Sequence, residues 1–110
     1  MQKLKIVGKK YLKPNEIIRL KADANYTEIS LTNGNQIIIS KTLKELEKTF
    51  CTLNFYRTHK SYMINLEHID SVQINGENNN NVTLKNNLKA DISRRRKINF
   101  LNTLRQYKLT

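Results

Sequence analysis

Phe55-Tyr-Arg-Thr-His-Lys-Ser-Tyr-Met-Ile-Asn-Leu-Glu-His-Ile69 is the stretch on which the reading of this chain turns. Its Phe, Tyr, Met and Ile residues fall in short runs that suit a pleated, half-buried surface, so residues 55–58 and 62–65 read as strands. The same stretch carries Arg57, His59, Lys60, Ser61 and Asn65, a basic, hydroxyl- and amide-bearing set. That many hydrogen-bonding side chains at a strand junction suits phosphates and base edges.

Outward from this stretch the chain keeps to strand-like runs. Residues 4–7, 17–20, 26–32 and 36–40 lie before it, and 69–74, 82–84 and 88–92 after it. Pro14, the only proline, marks a turn across 11–15, and Ala22-Asp-Ala-Asn25 breaks the strand pattern. Asn33-Gly34 is a hairpin signal, because both residues tolerate positive φ. The Asn-rich run 75–81 reads as a hairpin tip, and Asn86-Asn87 as a second turn. The period changes at 41–50, where Leu43, Leu46 and Phe50 recur at helical spacing. Thr42 and Glu45 form a capping-box pattern at its start. Ser93 is placed to cap a second helix through about residue 107, with Phe100, Ile98, Leu101 and Leu104 facing inward. The expected class is mostly β, with one short central helix and a C-terminal helix, in a single domain over residues 1–110.

The 110 residues hold 20 Lys plus Arg against 9 Asp plus Glu, for a formal charge of +11 and a pI near 10.0. Such a surplus points to a polyanionic partner, with nucleic acid ahead of anionic lipid and of an inert basic surface. Cys51 stands alone, so it forms no internal disulfide or multi-cysteine zinc site, and its apolar neighbour Leu53 suggests a small core residue. The first residues carry no long apolar signal core and no apolar run approaches ~20 residues, so a cytoplasmic protein without a membrane span is expected.

No catalytic constellation is visible. His59 and His68 are the only histidines, no carboxylate pair or serine elbow is present, and three glycines make no phosphate loop. The expectation is therefore no enzyme, no metal, no cofactor and no small-molecule substrate. His68 reads as a partly buried strand-end residue, and His59 either as a hydrogen-bonding partner beside Lys60 or as a structural turn residue. Tyr26, Phe55, Tyr56 and Tyr62 alternate with polar residues and read as core rather than as base-stacking platforms. Lys41, Lys44 and Lys48 fit a solvated helix face or a DNA-facing stripe equally well. Arg94, Arg95, Arg96 and Lys97 are harder to explain by stability, because a helix start prefers anions. They make sense if a phosphate arrives there.

The ordered series Ala24-Asn-Tyr26, Asn33-Gly34, Lys41-Thr-Leu-Lys-Glu-Leu46, Phe55 to Asn65, His68-Ile69 and Ile92-Ser-Arg-Arg-Arg96 resembles the LytTR-type DNA-binding domain of bacterial transcription and response regulators. The resemblance runs from about Ile17 to Tyr107. It implies an elongated fold of antiparallel sheets in which loops, not a recognition helix, enter successive major grooves. It places DNA contacts at Lys60, at the loop of Asp23 to Asn25, and at Ser93 to Arg95, and it makes Tyr62, Ile64 and Asn65 structural. It also implies direct-repeat sites holding two copies, with a weak homodimer on DNA. Many members carry a receiver domain with a phosphoacceptor aspartate, as in two-component systems, and these 110 residues leave no room for one. With that resemblance, Arg57, Lys60, Arg94 and Arg95 are the expected phosphate contacts, and Asn25, His59, Lys60 and Arg94 the expected base-edge contacts, with Ser93 beside them. The rivals are an RNA-binding or ribosome-associated basic protein, and an interaction module using an uncovered edge at Ile37-Ile-Ile39.

Overall fold

The computed structural model describes residues 4–7 and 10–109. Of the amino-terminal stretch without an apolar signal core, only residues 4–7 are thus described. The strands are β1 (Leu4–Val7), β2 (Lys10–Leu12), β3 (Ile17–Asp23), β4 (Tyr26–Leu31), β5 (Gln36–Ile39), β6 (Phe55–His59), β7 (Tyr62–Asn65), β8 (Ile69–Gln73), β9 (Asn80–Leu84) and β10 (Lys89–Ile92). The helices are α1 (Leu43–Phe50) and α2 (Lys97–Leu109). The class is mostly β, as the sequence indicates. The strands form three antiparallel sheets: β1-β2, then β5-β4-β3-β7-β6, then β10-β9-β8.

The five-stranded sheet is the middle layer and is buried on both faces. Strand side chains alternate between faces, so Phe55 and Met63 join one core while Tyr56 and Ile64 join the other. The first core lies under α1, where Leu43, Leu46 and Phe50 meet Leu20, Ile29 and Phe55. The second lies under the three-stranded sheet and α2, where Ile18 and Ile64 meet Val82, Leu84, Phe100 and Leu104. Ile17 and Leu20 face the same core although three positions apart. A register shift between Ile17 and Arg19 accounts for this.

Several local signals act as read. Thr42 Oγ1 accepts from the Glu45 N–H at 3.2 Å and starts α1. Asn33-Gly34 lies in the reversal between β4 and β5, with Gly34 at φ 90°. Asn86 and Asn87 both adopt positive φ, and Leu88 N–H donates back to the Lys85 carbonyl. That is the backbone of a type I′ turn. His68 is half-buried, with Nε2 2.7 Å from the Asn15 carbonyl.

Others need correction. Ala22 and Asp23 continue β3, because pairing with Thr27 and Tyr26 outweighs their poor strand propensity, and only Ala24-Asn25 turns. Tyr11 and Leu12 are in β2 rather than in the turn, which is confined to Pro14–Glu16. Cys51 is exposed, since α1 ends at the buried Phe50 and Cys51 lies about 100° further round. Ile98 is 67% exposed, sitting about 200° round the helix from Phe100, whose stripe with Leu104 faces the core. The second helix also starts later than expected, after a separate tight turn at Arg94–Arg96. Tyr26 is 52% exposed, because it faces the second-core side of the sheet beyond the cover of the three-stranded sheet. Tyr62 packs against the second core but is only half-buried, with the Arg19 guanidinium and Lys21 Nζ 5.6 and 6.0 Å from its ring centre.

Candidate nucleic-acid interface

The β6–β7 hairpin turns in two residues, Lys60 and Ser61, between the paired His59 and Tyr62. It reaches that turn through a register shift at Thr58. Thr58 is buried, and its hydroxyl donates to the Asp91 carbonyl at 2.8 Å. Its own carbonyl accepts from Ser93 N–H, also at 2.8 Å. The extra residue thus bonds this hairpin to the end of β10. The turn itself is held from inside. His59 Nδ1 accepts from Ser61 N–H at 3.0 Å. The Arg57 guanidinium donates to the carbonyls of His59 (3.3 Å) and Lys60 (2.6 Å) and pairs with Glu47 of α1 at 3.0 Å. Lys60 is left exposed at the tip of a clamped turn.

The neighbouring reversal, Ala24-Asn25, joins β3 to β4 at the same end of the sheet. Lys21 pairs with Tyr62, and Ala22 N–H donates to the Ser61 carbonyl at 2.9 Å. The two hairpins lie side by side in the strand order, so their axes are two strand spacings apart, about 10 Å. Ala24 has φ 54° while Asn25 does not share a positive φ, and Asn25 is exposed.

The third loop follows from the Thr58 bond. Ser93 leaves β10 beside Thr58, and its Oγ accepts from Arg96 N–H at 3.3 Å, closing one turn over Arg94–Arg96. Arg94 and Arg95 are exposed. Arg94 has one weak ion pair, 3.7 Å from Glu77, with both side chains largely in solvent. Three loops distant in sequence therefore converge on one end of the molecule. The opposite end carries the reversals 32–35 and 85–87, tied together by Asn86 donating to the Thr32 carbonyl at 3.2 Å.

The profile of the LytTr DNA-binding domain matches residues 8–105. The chain belongs to this family. Among solved structures, it is similar to a LytTr DNA-binding domain from Bacillus cereus, part of a protein described as a methyl-accepting/DNA response regulator. The TM-score is 0.76 at 18% identity, over 94% of each chain. No match is found among curated proteins.

Within this LytTr domain the expected contact residues divide by exposure. Asn25, Lys60, Arg94 and Arg95 are open to solvent at the shared end. Ser93 and His59 are half-buried there and hold turns. Arg57 is placed differently: its side chain is 15% exposed, and its three guanidinium nitrogens bond the His59 and Lys60 carbonyls and Glu47, which ties the Lys60 turn to α1. The sequence reading missed Thr58 and Glu47. A Thr among polar neighbours gives no burial signal, and the Glu47–Arg57 pair joins elements whose packing no spacing reveals. Lys44 and Lys48 are exposed on the outer face of α1, and Lys41 is exposed just before its cap at Thr42. Among the described residues no three His, Cys, Asp or Glu side chains gather as metal ligands, and no helix is long and apolar enough to cross a membrane.

Proposed function

We propose that this LytTr domain is a sequence-specific double-stranded DNA-binding module of a transcription regulator, which reads major grooves with loop residues at direct-repeat sites. The observation that carries the reading is the gathering of Asn25, Lys60, Arg94 and Arg95, exposed, on turns that the fold holds rigid at one end. Rigid turns present side chains with little ordering cost on binding. Lys60 and Arg94 match guanine O6 and N7, and Asn25 matches adenine N6 and N7. Arg95 supplies a phosphate contact. Two copies on a direct repeat would each present this end to the same face, with weak contact between copies.

An RNA-binding reading needs a platform of exposed aromatics. Phe55 is buried, Tyr56 packs on Phe100 with ring centres 5.5 Å apart, and Tyr62 is half-buried. The exposed rings Tyr11 and Tyr26 lie on different sheets and do not make one platform. The interaction-module reading needs an apolar face at β5, where only Ile38 stands out, with Ile39 buried and Ile37 half-buried.

Selection of bound duplexes from a random DNA pool tests the proposal. The expected result is an enriched direct repeat, bound ~10³-fold or more tightly than scrambled duplex at physiological salt. Tighter binding to an RNA hairpin or a single strand than to any duplex overturns it.

A further inference from the structure

The loop between β8 and β9 shares the end of the molecule where the three proposed contact loops meet. Asn80 pairs with Ile92, so this loop crosses the end of the three-stranded sheet from which Ser93 departs. Together with His59, Asp91, Ser93 and Arg94, residues 77–80 line an open, mainly polar groove of about 340 Å³. The loop is held by its own amides. The 98%-buried Asn80 accepts from Asn75 N–H at 2.6 Å and donates to the Gly76 carbonyl at 3.0 Å. Asn75 Nδ2 donates to the Asn79 carbonyl at 2.9 Å. Lys97 Nζ donates to the Gly76 carbonyl at 2.7 Å, fastening the loop to the start of α2.

This arrangement uses Asn75 and Asn80 as clamps and leaves Asn78 and Asn79 outside it. Both are exposed, and among the described residues neither side-chain amide has a partner. A loop tip needing only solubility has no use for so many internal bonds, since ordering each residue costs about 1–2 kcal/mol of backbone entropy. A fixed loop that holds two free amides beside an exposed arginine is organised for contact. We infer that residues 75–79 form a fourth DNA-contacting loop, in which the Asn78 and Asn79 amides meet the duplex next to Arg94. The loop adds to the footprint beside Arg94. Glu77, in the same loop, gives up its ion pair with Arg94 when DNA takes the guanidinium. The inference rests on the duplex-reading proposal above.

Two variants test it on the selected duplex. The first is Asn78→Ala with Asn79→Gly, glycine being chosen because Asn79 has φ 62°. The second is Asn78→Lys. The double variant should melt as wild type does, bind roughly tenfold or more weakly, and lose chemical-interference signal next to the position contacted by Arg94 in each half-site. The lysine variant should steepen the dependence of log K on log salt by about 0.9, one added phosphate contact. Unchanged affinity and footprint in the double variant, with an unchanged slope in the lysine variant, overturn the inference. Lys60→Ala, run in parallel, separates the two readings. Loss of binding there with intact loop variants removes the fourth loop and keeps the duplex reader. A wild type that prefers the RNA hairpin removes both.

Discussion

At the residue scale, Arg57 and Lys60 carry the same charge in opposite settings. Both lie in one basic cluster, three positions apart. Arg57 spends its donors on two turn carbonyls and Glu47, while Lys60 Nζ stands free on the turn so formed. Lys60→Ala should therefore cost ~1–3 kcal/mol of specific DNA binding with an unchanged melting temperature. Arg57→Lys should lower both, because an ammonium cannot reproduce the planar fork. Equilibrium binding and thermal denaturation of the two variants check the contrast, and a normally melting Arg57→Lys would return Arg57 to the binding surface. Asn65 is a different case, legible from the resemblance and explained by the structure. It is 98% buried, donates to the Pro14 and Ile17 carbonyls at 3.2 and 2.9 Å, and accepts from Glu67 N–H at 3.0 Å. Asn65→Ala strands those groups and should destabilise the fold by about 1–3 kcal/mol or more, measured by denaturant unfolding. A loss within experimental error would mean that water replaces the amide.

At the element scale, what local chemistry controls was legible and what pairing controls was not. The cap at Thr42, the Asn86-Asn87 turn and the helical spacing of Leu43, Leu46 and Phe50 each depend on neighbours in sequence, and each forms as read. The continuation of β3 through Ala22 and Asp23 depends on β4, and the exposure of Ile98 depends on which face of α2 meets the second core. Neither is encoded nearby. The register shift at Thr58 belongs to this second kind and matters most, since it carries the bonds from β6 to β10 and Ser93. Thr58→Val keeps the shape, removes the donor to the Asp91 carbonyl, and leaves that carbonyl to find water. We expect a modest loss of stability, ~1 kcal/mol, with faster hydrogen exchange at Ser93 N–H and weaker DNA binding through a loosened Arg94 turn. Exchange at Ser93 as slow as wild type would show that the two sheets are held together elsewhere.

At the scale of the whole molecule, the central sheet serves two cores, and its strand directions bring the proposed contact loops to one end. The composition made a polyanionic partner legible, and the ordered motifs made the family legible. The resemblance also pointed to Asn25, Lys60 and Arg94, but spacing along the chain could not show that they converge, because that convergence is a property of topology. The salt dependence of binding separates these contributions. With about five phosphates neutralised, log K should fall against log salt with a slope of about −4.5. Arg95→Ala should flatten that slope by about 0.9, since a lost phosphate contact releases one fewer set of counterions. Arg57→Ala should weaken binding without flattening it to the same degree, because its charge is already engaged by Glu47 and two carbonyls. Exposed Lys44 and Lys48, on the outer face of α1, should leave the slope unchanged when replaced by Ala if that face is only solvated. A slope that flattens equally for every removed cation would describe a diffuse polycation, and the one-ended interface would then be wrong.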